Sequence, residues 1–272
     1  MLLGIISDIH VDINRRDGAE VVSGYLAEEV LRRGIDTLLI AGDISSDYLL
    51  TLETLRRLRE TTGRTVLFVP GNHDIWNERH PDATAWDTYN AMMEDPGNIA
   101  ARPFRTPEGW TILGDLGWYD FSFGDPSFSF ENFTEMQREG RVWQDKIMSI
   151  WDRDTLAMHR LFMERLTRAL DAADPAKTVA VTHVVSVRDF IVQNPGPMWR
   201  YFNAFLGSPE YGSLFVSREV ALAVAGHVHY RKSVRHGKTE FICPCLGYTS
   251  EWKDPKAYGR EIAETLVTRA LD

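Results

Sequence analysis

Residues 65–74 read Thr65-Val66-Leu67-Phe68-Val69-Pro70-Gly71-Asn72-His73-Asp74. The first six are apolar or β-branched, too few for a typical helix, and they stop at a Pro-Gly turn. They read as a buried strand. The next residues offer an amide, an imidazole and a carboxylate. Four other stretches repeat this pattern. Leu2–Ile6 runs into Ser7-Asp8-Ile9-His10, and residues 37–41 run into Gly42-Asp43. Residues 178–182 run into His183, and residues 221–225 run into Gly226-His227-Val228-His229. In open α/β sheets the site lies outside the carboxyl ends of the strands, where such loops converge. Asp, Asn and His side chains gathered there suit divalent metals.

Outward from this stretch, the first part of the chain alternates. A helical pattern over residues 19–33 is stopped by Gly34, and another over 47–62 is stopped by Gly63. The resulting β-α-β-α-β order predicts parallel strands with right-handed crossovers. After Asp74 the rhythm breaks. Residues 82–93 predict a helix, residues 110–113 a strand, and residues 154–172 an amphipathic helix. Residues 121–153 are rich in Phe and Trp without a clear period. They read as an inserted, cap-like lobe on a single domain spanning 1–272. Its aromatics either line a substrate pocket or form a small core, and burial tendencies favour the core. Residues 231–234 and 239–242 predict a hairpin, hence a second, partly antiparallel sheet. Residues 261–271 fit helix and strand equally.

The 272 residues are 44% hydrophobic and 25% charged, an ordinary globular composition with ample core. A net charge of -9 gives no bulk attraction to nucleic acid or anionic membranes. No apolar stretch is long enough to span a bilayer, and the N-terminus carries no basic leader, so no signal peptide is expected. Cys243 and Cys245 flank a single proline. A disulfide across that gap would be strained, so two free thiols in a reducing cytoplasm are expected.

Of eight histidines, His10, His73, His183, His227 and His229 follow strands, while His80, His159 and His236 carry no pattern. A lone histidine is usually a hydrogen-bonded core residue, but five beside Asp8, Asp43 and Asn72 form a set. Asp8 and His10 are two apart, so an extended backbone would point both to one side. The same holds for His227 and His229. Gly42, Gly71 and Gly226 permit tight turns and close backbone approach.

The order Asp-x-His, Gly-Asp, Gly-Asn-His-Asp, a single His, then Gly-His-x-His resembles the calcineurin-like metallophosphoesterase family. The resemblance spans Asp8 to His229. It implies a four-layer α-β-β-α sandwich of two mixed sheets, here with an aromatic-rich inserted lobe. It also implies two metal ions, with Asp8, His10, Asp43 and His229 holding one. Asp43, Asn72, His183 and His227 would hold the other, Asp43 being the bridge. A hydroxide shared by the ions would attack phosphorus in line. His73 matches the family's non-ligand histidine, which stabilises the transition state or protonates the leaving oxygen. Asp74 either orients His73 or is a solvated turn carboxylate. The nitrogen and oxygen donors fit manganese, iron or zinc.

Protein phosphatases of the family carry Gly-Asp-x-x-Asp-Arg-Gly. Here the run is Gly42-Asp43-Ile44-Ser45-Ser46-Asp47-Tyr48, with the second Asp displaced by one and Arg-Gly absent. The expectation is therefore a hydrolase for a small phosphomonoester or phosphodiester. The alternatives are a nuclease, a cyclic-nucleotide phosphodiesterase and a non-catalytic scaffold. Arg188, Arg200 and Arg231, with Asn72, are candidate substrate contacts, since arginine suits bidentate phosphate binding. Trp199 and Tyr201 flank Arg200 and could stack on a substrate or simply pack.

Overall fold

The computed structural model describes all residues, Met1–Asp272. Four strands form the first sheet. They are β1 (Leu2–Ile6), β2 (Thr37–Ile40), β3 (Thr65–Phe68) and, from the far end of the chain, β10 (Val267–Ala270). β1, β2 and β3 are parallel, and β10 pairs antiparallel with β1. The second sheet holds β4 (Phe104–Arg105), β5 (Thr111–Asp115), β6 (Thr178–Thr182), β7 (Leu222–Val224), β8 (Arg231–His236) and β9 (Thr239–Pro244). Its order is β8-β9-β7-β6-β5-β4, antiparallel at both edges and parallel between.

The strands are apolar at nearly every position because both faces of each sheet are covered. Leu3, Ile5, Leu39 and Leu67 point inward against Ile112, Val179, Val181, Leu222, Val224 and Ile242 of the second sheet. Alternate residues point the other way. Ile6, Leu38, Ile40, Val66 and Phe68 meet α1 (Val22–Arg32), α2 (Tyr48–Thr62), α3 (Ala85–Met93) and α6 (Tyr258–Thr265). On the outside of the second sheet, Leu113, Ala180, Ala223 and Phe241 pack with Leu166 and Leu170 of α4 (Thr155–Asp171) and Tyr211 and Phe215 of α5 (Pro209–Ser217). The period of two thus builds the four-layer α-β-β-α sandwich. No helix is long and apolar enough to cross a membrane.

Several local expectations shift. The five strands that precede the candidate ligands divide between the two sheets, three and two. Helix α1 starts three residues later than the periodicity suggests, because residues 15–20 form a small hairpin. α3 likewise begins at Ala85, where Thr84 caps it. β5 lies slightly further along than 110–113, and the β8–β9 hairpin is longer on both arms. The ambiguous residues 261–271 are both things, helix α6 and then strand β10. Gly63 ends α2 with a φ of 63°, as a helix-stopping glycine does. Residues 121–153 hold a hairpin over Gln137–Val142 and short helical turns. Their Phe121, Phe133 and Met136 are no separate core: they join Tyr201, Phe202 and Phe205 in the large cluster beneath the first sheet.

Candidate active site

The two sheets meet at the carboxyl ends of their central strands, where Ser7 and Cys245 form a bridge between them. The loops after β1, β2, β3, β6 and β7 converge there. They bring Asp8, His10, Asp43, Asn72, His73, His183, His227 and His229 into one cluster.

The backbone at these positions is not extended. Asp8, His10, Asp43, His227 and His229 have φ of 54°, 40°, 53°, 74° and 53°. The left-handed region costs a non-glycine residue about 1–2 kcal/mol. The pairing of Asp8 with His10, and of His227 with His229, therefore does not come from strand alternation. What holds them is a ladder of loop contacts. The Asp8 and His10 amides donate to Gly42 O and Asp43 O, at 3.0 and 3.1 Å. The His227 amide donates to the Asp8 carboxylate at 2.9 Å. The glycines serve mainly by lacking a side chain. A Cβ on Gly71 would collide with the Asp43 carboxylate, and one on Gly226 with Ser7 Oγ and Asp8.

Asp43 sits in the middle. Its Oδ1 lies 3.3 Å from His183 Nε2, and its Oδ2 lies 3.8 Å from His10 Nε2. Burial works against its ionisation, yet His183, His73 and His10 together hold the carboxyl well below its usual range. On one side His229 Nε2 lies 3.1 Å from His10 Nε2 and 3.5 Å from Asp8 Oδ1. On the other, Asn72 Oδ1 lies 3.0 Å from His183 Nε2 and 2.9 Å from His227 Nδ1. The ligand atoms of Asp8, His10 and His229 lie within 4.8 Å of one another, as do those of Asp43, His183 and His227. Each grouping holds three of the four residues in one of the two sets that the resemblance implies. A third grouping, His10, Asp43 and His73, places His73 beside Asp43.

The donor chemistry fits metal ions. His183 Nδ1 donates to Ala41 O at 2.8 Å, His227 Nε2 to Phe205 O at 3.2 Å, and His229 Nδ1 to Glu251 Oε2 at 2.8 Å. A carbonyl or carboxylate can only accept, so in the neutral ring the other nitrogen would turn its lone pair to the centre, where a metal ion could take it. His10 Nε2 and His229 Nε2 face each other at 3.1 Å, a pair that either a shared proton or a bound cation satisfies.

His73 stands apart from the ligands. Its amide donates to Asp43 Oδ1 at 2.9 Å, its ring stacks on Trp76 at 3.6 Å, and its Nδ1 meets Ser46 Oγ at 3.1 Å. Burial lowers its pKa. The nearest carboxylate to its ring is Asp43, whose Oδ2 lies 4.0 Å from Nε2. Asp74 does neither job expected of it. It is fully buried and accepts from Ile44 N, Ser45 N, Thr51 Oγ1 and Gly71 N. It therefore ties the loop after β2 to the loop after β3. Burial and the Asp43 charge push its pKa up to about 7.

A cavity of about 720 Å³ opens over Asp43, Asn72, His73, His227 and His229, walled by Trp76, Trp143, Trp199, Tyr230 and Tyr248. None of the three candidate arginines lines it. Arg188 donates to Ser122 O and covers the Phe123 ring, Arg200 pairs with Asp125 at 2.7 Å, and Arg231 pairs with Glu261 at 2.8 Å. Proximity in sequence to a ligand histidine was a poor guide, because each arginine found a nearer acceptor. Trp199 and Tyr201 divide. Trp199 lines the cavity, whereas Tyr201 is buried in the core.

Two residues outside every motif complete the site. Asp145, within residues 121–153, is buried and accepts from Asn72 Nδ2, Trp76 Nε1 and Trp143 Nε1. Glu251 holds His229. The neighbouring aromatics gave a faint signal for Asp145, but nothing in the sequence ties it to residue 72.

The sequence pattern described as calcineurin-like phosphoesterase matches residues 1–231, and the chain belongs to that family. No curated protein matches the chain. Among solved structures, the phosphopantetheinyl hydrolase (PptH) from Mycobacterium tuberculosis is similar in fold, with a TM-score of 0.77 and 21% identity. The match covers 99% of this chain and 96% of that one. The protein TT1561 of Thermus thermophilus has a TM-score of 0.54 and 15% identity, over 100% and 99% of the two chains.

Proposed function

We propose that this member of the calcineurin-like phosphoesterase family is a hydrolase that uses two metal ions to cleave a small phosphate ester. The observation that carries the reading is Asp43, whose two carboxylate oxygens face different histidine sets. Asp8, His10, Asp43 and His229 would hold one ion, and Asp43, Asn72, His183 and His227 the other. Manganese, iron and zinc all fit these donors. When bound, such a pair supplies an activated water and neutralises charge on the phosphoryl oxygens.

The chain's own groups do the rest. Asp43, shared between the two sets, fixes their separation. The stack on Trp76 and the bond to Ser46 hold the His73 ring at the cavity floor, where it can give a proton to the leaving oxygen. Trp143, Trp199, Tyr230 and Tyr248 offer flat apolar walls to an organic group. No lysine or arginine lines the cavity. That favours a singly charged phosphodiester over a dianionic monoester. The phosphopantetheinyl group in the name of the Mycobacterium tuberculosis protein is one candidate for the organic arm. The free thiols of Cys243 and Cys245, 3.4 Å apart and unbridged, support a cytoplasmic setting.

The test is hydrolysis of bis(p-nitrophenyl) phosphate and p-nitrophenyl phosphate by protein loaded in turn with manganese, iron and zinc. Turnover of the diester above the monoester is expected. Inertness toward both esters with every metal would overturn the reading.

A further inference from the structure

Behind Asp145 the fold holds a second cavity, of about 500 Å³, and Asp145 is the one residue that lines both. That volume lies within the range of small-molecule sites. Its walls come from the loop after β5, from residues 130–151 and from the start of α4. They are aromatic. Trp118 stacks on Tyr119 at 4.8 Å and meets the edge of Trp151 at 5.6 Å. Two more lining residues, Phe130 and Ile150, are 51% and 54% exposed, so the apolar lining reaches the surface. An occupant would take that apolar area out of water.

Polar groups of the wall lack partners. Ser149 is 7% exposed and its Oγ makes no hydrogen bond, nor does the buried Nε1 of Trp151. Buried polar groups are nearly always paired, so two orphans in one wall point to a ligand. An indole N–H only donates and a hydroxyl readily does, so together they call for acceptor oxygens.

Charge points the same way. Lys146, Arg153 and Arg160 line this cavity, whereas no lysine or arginine lines the main one. Arg160 forms no ion pair, Arg153 has only the neighbouring Asp152 at 3.8 Å, and Lys146 donates to a carbonyl, Glu135 O. The two lining carboxylates are already engaged. Asp145 holds Asn72, Trp76 and Trp143, and Asp154 caps α4 by accepting from Ala157 N. Three cations against two carboxylates leave a single positive charge.

We propose that this cavity is a second small-molecule site, which takes an aromatic monoanion: a flat ring system carrying one carboxylate. The rings would lie among Trp118, Tyr119 and Trp151. The carboxylate would accept from Ser149 Oγ and Trp151 Nε1, with Arg160 and Lys146 supplying the opposite charge. A phosphate dianion would exceed the charge on offer. The site does not depend on the hydrolase reading.

The test is titration of the full chain with 2-naphthoate, followed through the indole N–H resonances by NMR. Trp151→Phe and Trp199→Phe identify the two signals that matter. The Trp151 signal should move downfield and saturate, because its N–H gains an acceptor, while that of Trp199 in the main cavity stays in place. The same rings without the charge, as 2-naphthalenemethanol, should bind about fivefold more weakly. Arg160→Gln should weaken 2-naphthoate by about fivefold as well, and Ile150→Glu, which sets a negative charge in the lining, by more. Both positions are exposed, so both variants keep the fold. A shift confined to Trp199 would assign the compound to the main cavity. Equal affinity for the alcohol and the carboxylate, or wild-type affinity in both variants, would remove the anion. A Trp151 signal that stays fixed at millimolar 2-naphthoate would leave a solvated crevice. Each of these results overturns the proposal.

Discussion

Asp145 accepts a 2.9 Å hydrogen bond from Nδ2 of Asn72, and this bond decides which end of the Asn72 amide faces His183 and His227. The same carboxylate receives the indole N–H of Trp76, which carries the His73 ring, and that of Trp143, which walls the cavity. One buried acid within residues 121–153 thus positions a candidate ligand, the stack beneath His73 and a cavity wall.

Asp145→Ala should therefore lower metal affinity or turnover by about 10–100-fold, the usual consequence of removing a residue that orients a ligand. Asp145→Asn should lose less, because its amide oxygen can still accept from Asn72 and Trp76. Chelator competition and steady-state rates on the two variants separate the effects. Wild-type values for both in Asp145→Ala would remove the positioning role.

The contrast between Asn72 and Asp145 shows how much of the site was legible. Asn72 follows a buried strand within a compact motif, and local order alone placed it. Asp145 lies 73 residues further on in a segment without period, and only the folding of the lobe against the sheets brings it in. The buried strands were readable because two-sided burial leaves continuous apolar runs, whereas their stacking into a four-layer sandwich came from the family resemblance. The left-handed backbone at Asp8 and His10 was not, since it is imposed by loops bonding to one another. Nor were the arginines, whose partners Asp125 and Glu261 are chosen by tertiary packing.

His73 meets a hydroxyl where a carboxylate would stand in the protein phosphatases that the Gly-Asp-x-x-Asp-Arg-Gly motif marks. Ser46 occupies the third position after Asp43. His73→Ala should reduce turnover by about 10²–10⁴-fold, as expected for a general acid, with metal content nearly unchanged. Ser46→Ala should produce a smaller loss of the same kind. Loss of metal from His73→Ala protein would instead make His73 a ligand, consistent with its place beside His10 and Asp43.

Glu251 fixes His229 from the side away from the centre, with its Oε2 also accepting from Tyr248 N at 2.8 Å. Glu251→Ala frees the ring to rotate and leaves its Nδ1 without an acceptor. Affinity at the Asp8–His10–His229 side should fall by about 10–100-fold, while the other side keeps its metal. Stepwise metal release during chelator titration would show this as an earlier first step. Unchanged release curves would rule out a role for Glu251 in holding His229.

Glu29 offers a prediction on stability rather than chemistry. It is buried on α1 and takes hydrogen bonds from Arg32 and Arg33, while Arg33 reaches Ala263 O and Leu266 O at the end of α6. The bond from Arg32, with help from Arg33, lowers its pKa from 4.5 to about 2. A depressed carboxylate stabilises the fold above its unfolded pKa, and that contribution fades as pH falls from about 4.5 toward 2. The shift corresponds to about 3 kcal/mol at full strength, and the solvent-exposed flank at Arg32 trims it to about 2 kcal/mol. Glu29→Gln should therefore be less stable than wild type by about 2 kcal/mol at pH 7, with the gap narrowing below pH 4.5. Urea unfolding of both proteins at pH 7 and at pH 3.5 measures it. A gap that stays constant between those pH values would mean that Glu29 acts through packing and not through its charge.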